Sequence, residues 1–191
     1  MRCKKEEFMK GEYFHLYNRS VDKTLLFKND EDYQYFLTKI RPKIITYPAS
    51  VFAYCLMPNH FHFLLRQDDD EPIYKIFNDL NNSYVKHYNN KYSRSGHLFQ
   101  GQLQHKRIKK DNYLVSLCQY IHYNPKKAGL VKDLSDWKFS NYLEWVNLRK
   151  GILFNNELRS TYFDSAVMYK KQIKDYEKRM KEKEFSELLF D

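Results

Sequence analysis

The stretch 50-SVFAYCLMPNHFHFLLR-66 reads as two β-strands with a sharp break between them. Residues 50 to 57 are rich in β-formers and stop at Pro58, and 60-HFHFLLR-66 resumes after the short Pro-Asn break. An antiparallel hairpin is the expectation. Within its second strand the period of two sends Phe61, Phe63 and Leu65 to one face and His60 and His62 to the other.

Working outward, 13-YFHLYNRS-20 is aromatic-rich, ends in polar turn residues and predicts a first strand. A helix over 30–44 follows, opening on Asp30, Glu31 and Asp32 and carrying Tyr33, Phe36, Leu37 and Ile40 at helical spacing. After the hairpin, 71–92 begins with Glu71-Pro72, a suitable first helical turn, and aligns Ile73, Ile76, Phe77, Leu80, Tyr84 and Tyr88 on one face. A loop with Gly96 and Gly101 leads to a short basic strand over 103–110. The next helix spans 111–124, with Asp111 as its expected cap, Leu114, Leu117, Cys118 and Ile121 as its apolar stripe, and Pro125 as its stop. The order β-α-β-β-α-β plus a helix predicts an α+β, ferredoxin-like (RRM-like) fold, an antiparallel sheet with helices packed on one face. Residues 1–150 form the expected domain. Residues 151–191 form a charged, mostly helical extension, whose 169–190 segment reads as a solvated helix.

With 191 residues, one domain and an extension are the expectation. Lys and Arg outnumber Asp and Glu by 33 to 24, a net charge of +9, which favours a polyanionic partner. The 17 Tyr and 14 Phe supply rings able to stack on unpaired bases. Cys3, Cys55 and Cys118 are dispersed and form no CxxC pair, which argues against a disulfide framework or a zinc ribbon. The charged N-terminus lacks the apolar region of a signal peptide, and no run of about 18 apolar residues occurs. A cytoplasmic protein with no membrane attachment is expected.

The paired histidines have chelating spacing, with Cα atoms about 7 Å apart on one face of a strand. Two polar residues on a half-exposed sheet face would show the same pattern, so a third ligand and a nucleophile decide the matter. Both candidates lie on the helix over 111–124. Tyr120 and Asn124 are four residues apart and share a face, whereas His122 points elsewhere and is left out. Tyr113 shares that face too but sits roughly 10 Å along the axis from Tyr120.

Four elements together, 14-FHLYNRSVDK-23, 57-MPNHFHFLL-65, 97-HLFQGQ-102 and 120-YIHYNPKKAGLV-131, resemble the HUH single-strand DNA transposases that use one catalytic tyrosine. The chain looks most like the REP-associated tyrosine transposase branch, over roughly residues 10–145. The resemblance implies a metal-dependent endonuclease and strand transferase acting on single-stranded or hairpin DNA through a 5′-phosphotyrosine. By it, Tyr120 is the nucleophile, and His60, His62 and Asn124 hold Mg²⁺ or Mn²⁺, Asn124 standing where related insertion-sequence enzymes have a glutamine. It also implies a bacterial, nucleoid-associated setting and either a monomer or a homodimer.

Phosphate contacts are expected from Arg94, Lys106, Arg107, Lys109, Lys110, Lys126 and Lys127. Tyr84, Tyr88 and Tyr92 could stack on bases, although their helical spacing equally suits a core. The 136-DWKFSNYLEW-145 segment resembles the family's aromatic region after the catalytic helix. Two other functional classes stand beside this one. A noncatalytic binder could use an RRM-like sheet as a stacking platform, and a metallohydrolase could use water where the transposase uses tyrosine.

Overall fold

The computed structural model describes residues 8–189 except 152 and 154, and the side chains of Leu158 and of residues 183–189 are also outside the description. Cys3 therefore lies outside the described residues. The elements are β1 (Tyr13–Arg19), α1 (Asp30–Thr46), β2 (Ala49–Met57), β3 (His60–Gln67), α2 (Tyr74–Lys91), β4 (Gln104–Ile108), α3 (Asp111–Lys127), α4 (Tyr142–Trp145), α5 (Asn156–Tyr162) and α6 (Ala166–Leu189). The four strands form one antiparallel sheet in the order β2-β3-β1-β4, as the α+β ferredoxin-like class requires.

The alternation in β3 separates two cores. Phe61, Phe63 and Leu65 join Phe14 and Leu16 of β1 under α1 and α2, where Phe61 stacks on Phe77 at 5.6 Å and meets Phe36 at 5.3 Å. Each such ring, fully buried, contributes about 1.5–3 kcal/mol. On the other face Ala53, Cys55 and Leu64 pack with Leu114, Leu117, Cys118 and Ile121 of α3. The helices thus cover both faces of the sheet, not one. An irregularity between Val51 and Ala53 explains how Phe52 joins the α3 side next to Ala53, because an extra residue resets the alternation.

Local chemistry sets the helix ends. Asn29 caps α1 by accepting from Asp32 N–H at 3.2 Å, and three acidic residues occupy its first turn. In α2, Glu71-Pro72 precedes the first turn, and the buried Gln67 side chain accepts from Ile73 N–H at 3.2 Å. In α3, Lys110 takes the cap position and Asp111 sits in the first turn, where a carboxylate favours the helix dipole without capping. Nor does Pro125 stop α3. It falls in the last turn, where a missing N–H costs one helical bond, and the chain then closes with Leu130 N–H on Pro125 O at 2.9 Å and Gly129 N–H on Lys126 O at 3.0 Å. Gly129 adopts φ +70°, the left-handed conformation that this C-terminal motif needs.

The segment expected as a solvated extension is anchored. Phe163, Tyr169 and Ile173 are buried in the α3-side core beside Trp145. Tyr169 Oη lies 2.5 Å from His122 Nδ1, while His122 Nε2 lies 2.8 Å from Asn141 Oδ1. Asn141 Oδ1 also accepts the Tyr54 N–H, so His122 Nε2 carries the proton and Nδ1 accepts from the phenol. Burial lowers the His122 pKa to about 4, against a smaller opposing effect of Asn141, and the ring is a neutral core bridge. Leaving His122 out of the site agrees with this position.

Candidate active site

β3 presents His60 and His62 on the α3 side of the sheet, and α3 brings a phenol to them. The ring of Tyr120 lies 5.8 Å from that of His62, nearly edge-on, and the His60 and His62 rings are 5.1 Å apart. Tyr120 is half-buried, and among the described residues its hydroxyl has no hydrogen-bond partner. Tyr113 is 41% exposed and its hydroxyl is met by Lys106 Nζ at 3.2 Å, so of the two tyrosines on this face of α3 it is Tyr120 that meets the histidines, while Tyr17 of β1 also lies 5.8 Å from His62.

Asn124 is buried one turn beyond Tyr120 and donates Nδ2–H to the Tyr120 carbonyl at 3.1 Å. Among the described residues it has no hydrogen bond to either imidazole, and its Oδ1 remains without a partner. The two histidines and the tyrosine are therefore assembled, while Asn124 contributes a free acceptor on the same helical face.

A third histidine belongs to the cluster. His15 lies on β1, diagonal to His62 across the β1–β3 pair, and its Nε2 is 3.0 Å from His62 Nδ1. Its ring stacks on Tyr17, at 4.8 Å, and on His62, at 5.1 Å, the other two rings being 5.8 Å apart. Reading β3 alone misses this residue; the signal was available in β1, whose alternation carries His15 and Tyr17 on one face, next to β3 in any sheet of this topology.

Electrostatics keeps the imidazoles neutral. Burial lowers the His15 pKa to about 4, with nearby Lys106 adding to the effect. Burial also lowers His60, and it takes His62 well below the ordinary value with help from His15 and His60. Neutral rings keep lone pairs for a metal. His60 Nδ1 lies 2.7 Å from Asn59 Oδ1, an acceptor, so the proton sits on Nδ1 and Nε2 is free. In the matching tautomer of His62, Nδ1–H donates to His15 Nε2, again leaving Nε2 free. Two lone pairs, each set by a hydrogen bond behind the ring, are of the kind a divalent ion takes, while the Asn124 side chain is held against the Tyr120 carbonyl.

An open cleft of about 930 Å³ adjoins the histidines, with Tyr17, Arg19, Lys23, Asn59 and Gln104 among its walls. The expected phosphate-binding residues divide. Lys106 is the β4 partner of His15 and shares its face, with its ammonium 4.7 Å over the Tyr113 ring. Lys109, Lys110 and Lys127 are exposed near the ends of α3. Arg107 pairs with Glu12, Lys126 with Glu177 at 2.9 Å, and Arg94 donates to the His97 carbonyl at 2.7 Å. Arg19 and Lys23, beside the histidines, were not singled out from sequence because neither lies in a basic run. Tyr84 and Tyr88 are core residues whose hydroxyls donate to Leu26 O and Leu25 O, and Tyr92 donates to Asp32; the helical spacing indicated core correctly.

Fold and site together define an α+β protein with an antiparallel four-stranded sheet, paired histidines on one strand and a tyrosine brought to them by a facing helix. Residues 9–124 match the family described as Transposase IS200 like, and the chain belongs to that family. A curated relative from Haemophilus influenzae, described as "Putative REP-associated tyrosine transposase", is 29% identical over 107 residues, which cover 50% of this chain and 60% of that protein. The chain thus spans less than two thirds of that relative's length. A solved structure described as a REP-associated tyrosine transposase bound to a REP hairpin aligns with TM-score 0.59 at 18% identity, covering 78% of this chain and 94% of the other, and supports the fold. Among the described residues, no helix is long and apolar enough to cross a membrane.

Proposed function

We propose that the protein is a metal-dependent single-strand DNA endonuclease and strand transferase acting on hairpin or repeat DNA. The observation that carries this reading is the Tyr120 ring 5.8 Å from His62, with no protein partner for its hydroxyl among the described residues. A relative named as a REP-associated tyrosine transposase and a fold neighbour described with a REP hairpin support the substrate class.

The Tyr120 hydroxyl, freed of its proton, attacks the scissile phosphorus in line; the P–O3′ bond breaks as the P–Oη bond forms, leaving a 5′-phosphotyrosine and a 3′-hydroxyl. Reversal by another 3′-hydroxyl rejoins strands without an external energy source. Mg²⁺ or Mn²⁺ would be held by Nε2 of His60 and His62 and by Asn124 Oδ1, and when bound it supplies Lewis-acid stabilisation of phosphate charge. His15 fixes the His62 ring. Arg19, Lys23 and Lys106 offer cations to the backbone, with Lys109, Lys110 and Lys127 further out.

The RRM-like binder finds less support, because much of the sheet face it would need lies beneath α3 and the C-terminal segment. The test incubates the protein with labelled hairpin oligonucleotides and Mn²⁺ and seeks a covalent protein–DNA species on a denaturing gel. Adduct formation that needs Tyr120 is expected. Metal-dependent cleavage with no adduct would support the hydrolase instead.

A further inference from the structure

Directly across from His62 in the β1–β3 register stands Tyr17. The period of two along β1 puts it on the same face as His15 and Arg19, and it is 36% exposed. Its ring stacks on His15 at 4.8 Å, with 27° between the planes, and lies 5.8 Å from His62. A phenol has only two side-chain torsions to fix, and this stack restrains them. Among the described residues, however, the Tyr17 hydroxyl has no hydrogen-bond partner.

Tyr17 and Tyr120 flank one imidazole, each with its ring centre 5.8 Å from that of His62. They come from opposite sides. The sheet order β2-β3-β1 places Tyr17 on the β1 side of β3. The Tyr120 end of α3 is held on the β2 side, where His122 Nε2 lies 2.8 Å from Asn141 Oδ1, the acceptor of the Tyr54 N–H at 2.7 Å. The cleft of about 930 Å³ repeats this division, because Tyr17, Arg19, His60 and His62 line it and Tyr120 does not. In an in-line displacement the attacking and departing oxygens sit on opposite sides of phosphorus. With Tyr120 attacking from one flank of the histidine pair, the 3′-oxygen departs on the other, toward Tyr17.

We propose that the Tyr17 hydroxyl donates a hydrogen bond to the departing 3′-oxygen, and to the incoming 3′-oxygen when strands are rejoined. The inference rests on the nuclease and transferase reading and adds a catalytic residue to it. As the P–O3′ bond breaks and the bond from phosphorus to the attacking oxygen forms, negative charge grows on O3′. A donor already in place there favours the transition state over the ground state. Tyr17 keeps its own proton throughout. O3′ takes a proton from water in the open cleft, and the Tyr120 proton passes to water in exchange.

Single-turnover cleavage in Mn²⁺ tests this with two hairpin oligonucleotides, one ordinary and one with sulfur replacing the 3′-oxygen at the linkage that the wild-type protein cuts. A thiolate leaves more readily than an alkoxide and needs little help from a donor. Tyr17→Phe keeps the ring and its stack and removes only the hydroxyl. It is expected to slow cleavage of the ordinary hairpin about 100-fold, to match the wild type on the sulfur-linked hairpin, and to leave hairpin affinity and thermal midpoint unchanged. Cleavage of the ordinary hairpin at the wild-type rate, or equal slowing on both DNAs, would overturn the proposal. Scoring strand scission apart from the Tyr120 adduct separates the two readings. Scission without an adduct, with Tyr17→Phe rescued by sulfur, sinks only the tyrosine nucleophile. An adduct with no rescue sinks only the Tyr17 role, and absence of scission sinks both.

Discussion

Nε2 of His15 and Nδ1 of His62 lie 3.0 Å apart, linking adjacent strands behind the proposed metal-binding edge of His62. A group in this position fixes ring orientation and tautomer, and losing such a partner typically costs about 10–100-fold in metal affinity or activity. His15→Ala should lower the initial rate of adduct formation by about that factor and raise the Mn²⁺ concentration needed for half-maximal rate. His15→Gln, which retains an acceptor, should recover part of both. A loss confined to DNA affinity, with metal dependence unchanged, would remove His15 from this role.

The tyrosine assignment makes a sharper demand. Tyr120→Phe keeps the ring beside His62 and removes only the hydroxyl, so folding and hairpin affinity should persist while the adduct disappears. Tyr113→Phe deletes the hydroxyl that meets Lys106 at 3.2 Å and should leave the adduct intact. Opposite results on the denaturing gel would transfer the nucleophile to Tyr113.

How much of this was readable in advance depends on the range of each interaction. The alternation of Phe61, Phe63 and Leu65 against His60 and His62 is local to one strand, and both faces came out as that period requires. That Tyr120 and Asn124 share a helical face also follows from their four-residue interval, whereas the meeting of Tyr120 with the histidines was implied by the family resemblance and not by spacing. Which face of the sheet α3 covers is a matter of tertiary packing, and so the helices were expected on one face only. His15 escaped because its partner lies 47 residues away. Pro125 misled for a different reason, since a proline in the final turn removes one bond from a helix end already closed by Gly129. The C-terminal segment looked solvated because most of its residues are charged, yet Tyr169 and Ile173, one turn apart, are buried in the α3-side core and Glu177, a further turn on, pairs with Lys126.

The core predicts a measurable cost. Phe61 is fully buried between Phe36 and Phe77, directly behind the histidine pair. Phe61→Ala should destabilise the protein by about 3–5 kcal/mol, measured by denaturant unfolding. Phe61→Leu should cost less and preserve adduct formation, because it retains an apolar side chain on the face opposite His60 and His62. Equal loss of adduct in both variants at temperatures where Phe61→Leu remains folded would mean that the ring itself positions the histidines.

Asp32 gives the pH dependence its sign. Burial alone would raise its carboxyl pKa, but hydrogen bonds from Lys91 Nζ at 2.9 Å, Tyr92 Oη at 2.7 Å and Lys28 N–H at 2.8 Å more than offset this and hold it below the ordinary 3.8. In the acid window just below 3.8 the unfolded chain binds the proton that the folded chain refuses, so stability there rises with pH. The contribution is complete above the unfolded value and is lost as pH falls through the lower folded value. Asp32→Asn should cost about 2 kcal/mol near neutrality, since it weakens a charge-assisted link between α1 and α2. It should also flatten the acid limb of a stability-against-pH curve obtained by denaturant titration. If the wild-type and Asp32→Asn curves stay parallel down to pH values below 3.8, the carboxylate is not what makes the fold acid-sensitive.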